Sequence, residues 1–394
     1  MAVRWRVLGV LFLVRTAMAF QFQASAALAP FAMEYYGVGL AETGLIFGLY
    51  FAPGIVMALP AGAMGAWLGD ARLVRWGLWL MCAGAVIMAL APEWNTHMAG
   101  RLLAGVGGIT LNLFMSKIVA DTFDGHEVGT AMSVFIASWP AGIALALSVL
   151  PRVAESHGFT TGLWVTVTIV LLGLLCFVLS GAGSKATAVS APGQIWPRGR
   201  IRAATLAAGT LWGLYNAALA MVFAFGALIL VERGWSLAPA SDAAGSALWA
   251  LALTTPLGGI LADRTGRNDA VILVGLVAFF ALMTAASLGW LPGILFPITG
   301  LVGGLAAGPI MTLPARVLPV ETRATGLGLF FAIYYLLIVT GPIIGGFVAE
   351  LAGTTLATFW LAAAMLAICV LILGLYRFWS SDQSGSMSPS ARSS

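Results

Sequence analysis

Apolar residues run along the chain in blocks of about 20, the length at which an α-helix crosses the hydrocarbon core of a bilayer. Short polar or Gly- and Pro-bearing breaks separate the blocks, which predict helical spans over 7–32, 43–66, 76–91, 98–119, 129–150, 160–181, 203–230, 243–262, 270–288, 292–314, 327–349 and 356–377. The longest polar interval, 182–202, follows the sixth block and predicts a cytoplasmic linker, while the Ser-rich end, 379–394, predicts a disordered cytoplasmic tail. The expected organisation is therefore a six-helix bundle over 1–181, the linker over 182–202, a second six-helix bundle over 203–378 and the tail. The start of the chain, with Arg4 and Arg6 ahead of an apolar run and Ala17-Met18-Ala19 beyond it, is similar to a cleaved secretory leader. Arg15 interrupts that run and the apolar stretch continues to Met33, so the first block is expected to stay as a helix.

Composition narrows the class. Of 394 residues, 60% are hydrophobic and 9% charged, which excludes a water-soluble globule. The spans use up nearly the whole length, so no soluble catalytic domain fits and the chain is not expected to be an enzyme. Cys82, Cys176 and Cys369 all lie inside apolar blocks, where a thiol is a small hydrophobe, and no metal or other cofactor is expected. The net charge of +4 comes from basic residues scattered singly between spans, a pattern that excludes a nucleic-acid surface. With the N-terminus inside, the cytoplasmic segments collect the basic residues, including Arg72, Arg75, Lys117, Arg264, Arg267, Arg316, Arg323 and Arg377, and leave Arg152 and Arg233 outside. The positive-inside rule then places both termini in the cytoplasm.

The second half repeats the first: a shift of 197 lays Gly62 on Gly259, Gly69 on Gly266 and Gly129 on Gly326. Between the eighth and ninth spans stands Gly258-Gly259-Ile-Leu-Ala-Asp263-Arg264-Thr-Gly266-Arg267, which resembles the signature loop of the major facilitator superfamily. The first-half copy, from Gly62 through Gly69, Asp70 and Arg72, keeps the glycines but has Ala66 where the loop's Asp would stand. The resemblance implies an all-α polytopic membrane protein, 12 transmembrane helices in two pseudo-symmetric bundles, in a bacterial-type inner membrane. It also implies that Gly62, Gly69, Asp70, Arg72, Gly259, Asp263, Arg264, Gly266 and Arg267 gate the cytoplasmic side. Two shorter stretches, Leu111 to Asp121 and Arg323-Ala-Thr-Gly326 with Tyr334-Tyr335 downstream, are similar to the cyanate and nitroimidazole permease branch. The fifth-span segment Ser138-Trp139-Pro140-Ala141-Gly142 departs from the Gly-Pro motif usual in drug/proton antiporters.

Ionisable residues inside a bilayer are costly and face an interior cavity or an interface. Arg15 stands about two turns inside the first span with no acid on that helix to neutralise it, and its face continues through Ala19, Phe22 and Ala26. An Arg fork there suits a small anion; the plain alternative is snorkelling to the interface. On the fourth span Arg101, Gly105, Gly108, Asn112 and Ser116 share one face, with Arg101 expected to snorkel at the outer end and Asn112 to face inward. Trp212, Asn216, Leu219 and Phe223 make a stripe on the seventh span, with Trp212 at the repeat position of Arg15, and Tyr334 and Tyr335 add hydroxyls from the eleventh. The candidate binding set is Arg15, Phe22, Asn112, Trp212, Asn216 and Tyr334. His97, His126 and His157 are expected in loops.

These expectations add up to a monomeric secondary transporter moving a small organic or inorganic anion by alternating access, with proton coupling, exchange for a counter-anion and uniport equally open. The lipid bilayer and the substrate are its expected partners. Drug or metabolite efflux by proton antiport is the alternative, and a membrane sensor that binds without transporting has the same sequence signature.

Overall fold

The computed structural model describes residues 2–38, 46, 48–57, 68–123, 127–181, 195–288, 290 and 293–380, and among them it contains helix and no strand. In chain order the helices are α1 (Ala2–Ala27), α2 (Ala29–Tyr36), α3 (Gly48–Met57), α4 (Asp70–Leu90), α5 (Trp94–Thr122), α6 (Val128–His157) and α7 (Phe159–Ser180). The second series is α8 (Gly199–Glu232), α9 (Leu237–Thr265), α10 (Asn268–Ser287), α11 (Leu295–Val317), α12 (Arg323–Ala352) and α13 (Ala357–Ser380). Eleven of them are long and apolar enough to cross a membrane. The predicted second span, 43–66, falls mostly outside the described residues, which give only α3 and Ile46 within it.

Most helices outrun their apolar blocks. The third block begins at 76, yet α4 begins at Asp70 and carries Arg72 and Arg75 in its first turns. Hydropathy marks the part of a helix that sits in hydrocarbon, whereas the backbone ladder continues into the interface wherever side chains tolerate water. The first block divides instead: α1 ends at Ala27, and Pro30 sits at the first turn of α2, where a missing N–H costs nothing.

Packing repeats between the halves. α1 packs on α6 and α7 as α8 packs on α12 and α13, and α4 packs on α5 and α7 as α10 packs on α11 and α13. Small residues set the closest crossings, since lipid gives helices no hydrophobic reason to associate and backbone approach supplies the dispersion energy instead. Along α4 and α5, Gly77 faces the Gly107 carbonyl and Gly84 the Gly100 carbonyl, 2.5 Å from where a Cβ on Gly84 would sit. Gly258, Gly300 and Gly304 do the same between α9 and α11.

The halves meet where α6 lies on α9 and α11, and where α5 touches α12. The end of the molecule at this seam is called the linker end here, because the Thr325 hydroxyl donates to the Ile195 carbonyl at 2.7 Å there. Leucine at Gly84 or Gly107 is expected to wedge α4 from α5, with the loss of a monodisperse peak in size-exclusion chromatography; leucine at Gly374, which has open space around it, is expected to leave the peak intact.

Candidate functional site

Arg15 sits mid-helix in α1 and is only 6% exposed. α6 can approach it because Gly142 lies against the Thr16 carbonyl of α1, where any larger side chain would collide. Pro140 then contributes chemistry. It has no N–H to give the carbonyl four residues back, so the Ile136 oxygen is left open. Arg15 Nη1 donates to that oxygen at 3.2 Å and to the Phe135 oxygen at 3.0 Å. The guanidinium lies 4.5 Å from the Phe135 ring centroid and 5.7 Å from that of Trp139, so aromatic faces help carry its charge. Arg15 Nε donates to Asn112 Oδ1 at 3.3 Å, and Asn112 Nδ2 donates to the Tyr335 hydroxyl of α12 at 3.1 Å. One chain of hydrogen bonds thus runs from α1 through α5 into the other half. Nη2 makes no hydrogen bond among the described residues, and no carboxylate pairs with this cation there.

Arg101 gives the contrast. It is fully buried, and its three nitrogens donate to the carbonyls of Ile46 (3.1 Å), Gln21 (3.0 Å) and Phe22 (2.7 Å), with Tyr50 stacked at 4.6 Å. The expectation of snorkelling is corrected: α5 starts early enough, at Trp94, to put Arg101 two turns inside, where the carbonyls of Gln21, Phe22 and Ile46 accept from it. Arg101 is a clamp in which each of the three nitrogens holds a backbone carbonyl. Arg15 does not snorkel either.

Of the other expected binding residues, Phe22 is anchored by Arg101 and presents its ring to Phe51 at 4.8 Å and Trp139 at 5.1 Å. Trp212 stacks on Tyr215 and meets Tyr334 at 6.1 Å, and Tyr334 lies 5.0 Å from Tyr335 by ring centroids. Both phenols are within electrostatic reach of Arg15. Asn216 is partly exposed and turns its amide back to the Trp212 carbonyl of its own helix at 2.8 Å, taking no part in the Arg15 chain. Four participants escaped the candidate set. Tyr335 was paired with Tyr334 in the sequence but carries the cross-half bond itself, Trp139 was visible only as part of a degenerate motif, and the carbonyls of Phe135 and Ile136 have no sequence mark except Pro140.

At the linker end the expected gate divides into two latches of different construction. Asp263, in the last turn of α9, accepts hydrogen bonds from the Thr130 N–H at 2.6 Å and the Thr130 hydroxyl at 2.7 Å. Thr130 is the third residue of α6, and the residue preceding that helix, Glu127, gives it no side-chain cap because it pairs with Arg4. Asp263 therefore caps, from the opposite half, a helix terminus that carries partial positive charge. Gly129 and Gly259 make the approach possible, since a Cβ on either would collide with Asp263 or with the Gly129 carbonyl. Gly266 ends α9 in the left-handed conformation, φ 65°, which favours glycine.

The first-half latch lacks its Asp at position 66. Gly69 takes φ 80° ahead of α4, and Asp70, 8% exposed, pairs with Lys117. Lys117 also pairs with Asp121 at 3.1 Å, and Asp121 accepts from Arg323 at the start of α12 at 2.6 Å. The displaced acid reaches the other half through a relay of charges. Arg72, Arg264 and Arg267 are exposed and make no ion pair among the described residues, and Gly62 lies outside them.

His97 is not in a loop. It lies in the first turn of α5, 2% exposed, with its Nδ1 3.3 Å from the Tyr36 hydroxyl and its ring stacked on Trp94. Burial raises the Tyr36 phenol to about 12, so it stays protonated and donates to the Ala91 carbonyl at 3.2 Å. His157 ends α6 beside Ser156, and His126 lies outside the described residues.

Two pseudo-symmetric helical halves around a buried polar centre, latched at one end by complementary charges, define a membrane transporter. The major facilitator superfamily model matches residues 11–229 and 203–392, and the chain belongs to that superfamily. The lysosomal dipeptide transporter MFSD1 of Bos taurus is 23% identical over 379 residues, covering 88% of this chain and 80% of its own. The 3-(3-hydroxy-phenyl)propionate transporter of Escherichia coli K12 is 26% identical over 363 residues, covering 86% and 85%. The class E tetracycline resistance protein of Escherichia coli is 35% identical over 122 residues, 30% of this chain. Among solved structures, the superfamily transporter FucP in its outward conformation superposes with a TM-score of 0.68 at 15% identity, covering 95% of this chain and 98% of FucP. Family and relatives point to a transporter and not to an enzyme. They establish the superfamily without the cyanate and nitroimidazole branch.

Gln at Arg101 removes buried charge-assisted hydrogen bonds to three carbonyls and the contact with the Tyr50 ring, and is expected to destabilise the protein by about 2–4 kcal/mol. A fall of several degrees in melting temperature in detergent checks this; an unchanged melting temperature would show the clamp to be dispensable.

Proposed function

We propose that this protein is a secondary transporter that carries a small organic or inorganic anion by alternating access. Arg15 is the charge reader in a site completed by Phe22, Asn112, Trp212, Asn216 and Tyr334. The observation that carries this reading is the state of Arg15: a buried mid-helix cation that, among the described residues, has no carboxylate partner and one nitrogen left over. Burying such a charge costs several kcal/mol unless something neutralises it, and a ligand of opposite sign would do so. The relative named for a hydroxyphenylpropionate is consistent with an organic anion.

The halves 1–181 and 203–378 are taken to rock about this site, with linker and tail in the cytoplasm and the chain acting as a monomer in a bacterial-type inner membrane. The basic residues at the linker end support that orientation. The Asp263 cap and the Asp70–Lys117–Asp121–Arg323 relay would hold the linker end shut and break when it opens. Proton coupling and anion exchange are both compatible with this arrangement. Drug efflux by proton antiport is the weaker reading: among the described residues, every acid lies within about two turns of a helix end or in a loop.

Anions should raise the melting temperature of the purified protein by mass action. A panel of nitrate, cyanate, small carboxylates, lipophilic cations and neutral drugs is expected to stabilise wild type through anions alone, and Arg15→Gln through none. Stabilisation by drugs that persists in Arg15→Gln would move efflux to first place, and binding without flux into proteoliposomes would make the protein a sensor. Asp263→Ala is expected to slow transport about tenfold, a latch loss of about 1.4 kcal/mol. Full turnover in that variant would remove the latch from the mechanism.

A further inference from the structure

We infer that the anion is a monocarboxylate with an aromatic body, bound through a single guanidinium nitrogen. This rests on the reading of Arg15 as charge reader and adds the shape and charge of what it reads. The one positive charge of Arg15 sets the charge of the ligand, and the count of its donors sets how the ligand is held. Of the three guanidinium nitrogens, Nε is held by Asn112 and Nη1 by the carbonyls of Phe135 and Ile136, which leaves Nη2 alone. Among the described residues no second cation stands ready beside it: Arg101 is held by three carbonyls, and Lys117 is divided between Asp70 and Asp121 at the linker end. A dianion would keep one charge unneutralised in a poorly solvated site, which is costly.

The opposite sign is excluded by the same inventory. An ammonium group on the ligand would meet no carboxylate, since the described acids all sit near helix ends or in loops. Zwitterions and cations are therefore poor occupants.

The walls set the body. Trp139 is partly exposed although its ring neighbours Phe22 and Phe51 are buried, and it lies 5.7 Å from the Arg15 guanidinium. From the other half, Tyr335 meets Phe51 at 6.0 Å, and Trp212 and Tyr334 continue the aromatic surface. Such a lining gains from edge and face contacts with a ring and offers little to a small hydrated ion such as nitrate. The Tyr334 hydroxyl makes no hydrogen bond among the described residues, lies within electrostatic reach of Arg15 and would donate to the second carboxylate oxygen.

The test measures dissociation constants and proteoliposome uptake for benzoate, phenylpropionate, acetate, nitrate, phthalate, phenylalanine and benzamide. Wild type is expected to bind benzoate or phenylpropionate at least about tenfold more tightly than acetate, nitrate, phthalate, phenylalanine or benzamide. Arg15→Gln is expected to lose this binding, and Trp139→Leu to reduce the ratio of arylcarboxylate to acetate affinity. Should Arg15→Gln fail to give monodisperse protein, Arg15→Lys keeps the charge and is read by the same ratios. Acetate or nitrate binding as tightly as benzoate, still lost in the Arg15 variant, would overturn the aromatic class and leave the anion reading standing. Tighter binding of phthalate would overturn the single-charge argument. Binding of any of these ligands that is indifferent to Arg15 would overturn both readings.

Discussion

A cation buried in the middle of a membrane protein has to be paid for in hydrogen bonds, and Arg15 is supported almost entirely by neutral groups. Two carbonyls beside Pro140, the amide of Asn112 and the faces of Phe135 and Trp139 take the place of a counter-ion. Each requires a particular arrangement of helices: Gly142 lets α6 close on α1, and Gly105 and Gly108 let α5 come up against Tyr50. The continuation through Asn112 to Tyr335 then makes the charge a property of both halves. If the halves move, this chain of bonds must lengthen or break, so charge state and conformation are physically coupled at this point.

The linker end answers the centre with the opposite strategy, since its contacts are made by charged side chains. Asp263 serves as the N-cap of a helix in the other half, and the first-half acid, displaced from position 66 to 70, uses Lys117 and Asp121 to reach Arg323. The half with Ala66 at that position makes its cross-half attraction through a longer relay. The last pair of the relay, Asp121–Arg323, is partly exposed, and such pairs are individually weak, which would suit the opening of this end under the proposed mechanism.

Much of this was legible in the sequence. The apolar blocks found the helices because hydrocarbon thickness fixes their length, and the repeat of 197 residues anticipated the repeated packing of α1 on α6 and α7 by α8 on α12 and α13. Arg15, Phe22, Asn112, Trp212 and Tyr334 were legible as interior polar and aromatic positions on helical faces. Hydropathy could not fix helix ends, and that is why Arg101 and His97 were placed too near the surface. Nor could it see acceptors that belong to the backbone: the Phe135, Ile136, Gln21 and Phe22 carbonyls look the same in every sequence, and only Pro140 hinted at one of them. Trp139 and Tyr335 were missed as members of the site because periodicity says which face a residue occupies on its own helix, not which helix it will meet.

Arg15 Nη2 is the group proposed to meet the ligand, and guanidinium nitrogen resonances of arginine-15N-labelled protein in detergent report on it directly. Titration with benzoate is expected to shift one Nη resonance that is absent from Arg15→Lys, while the Arg101 resonances stay in place. Saturating ligand that leaves every Arg15 nitrogen unmoved, or that moves Arg101 instead, would contradict the account at its centre.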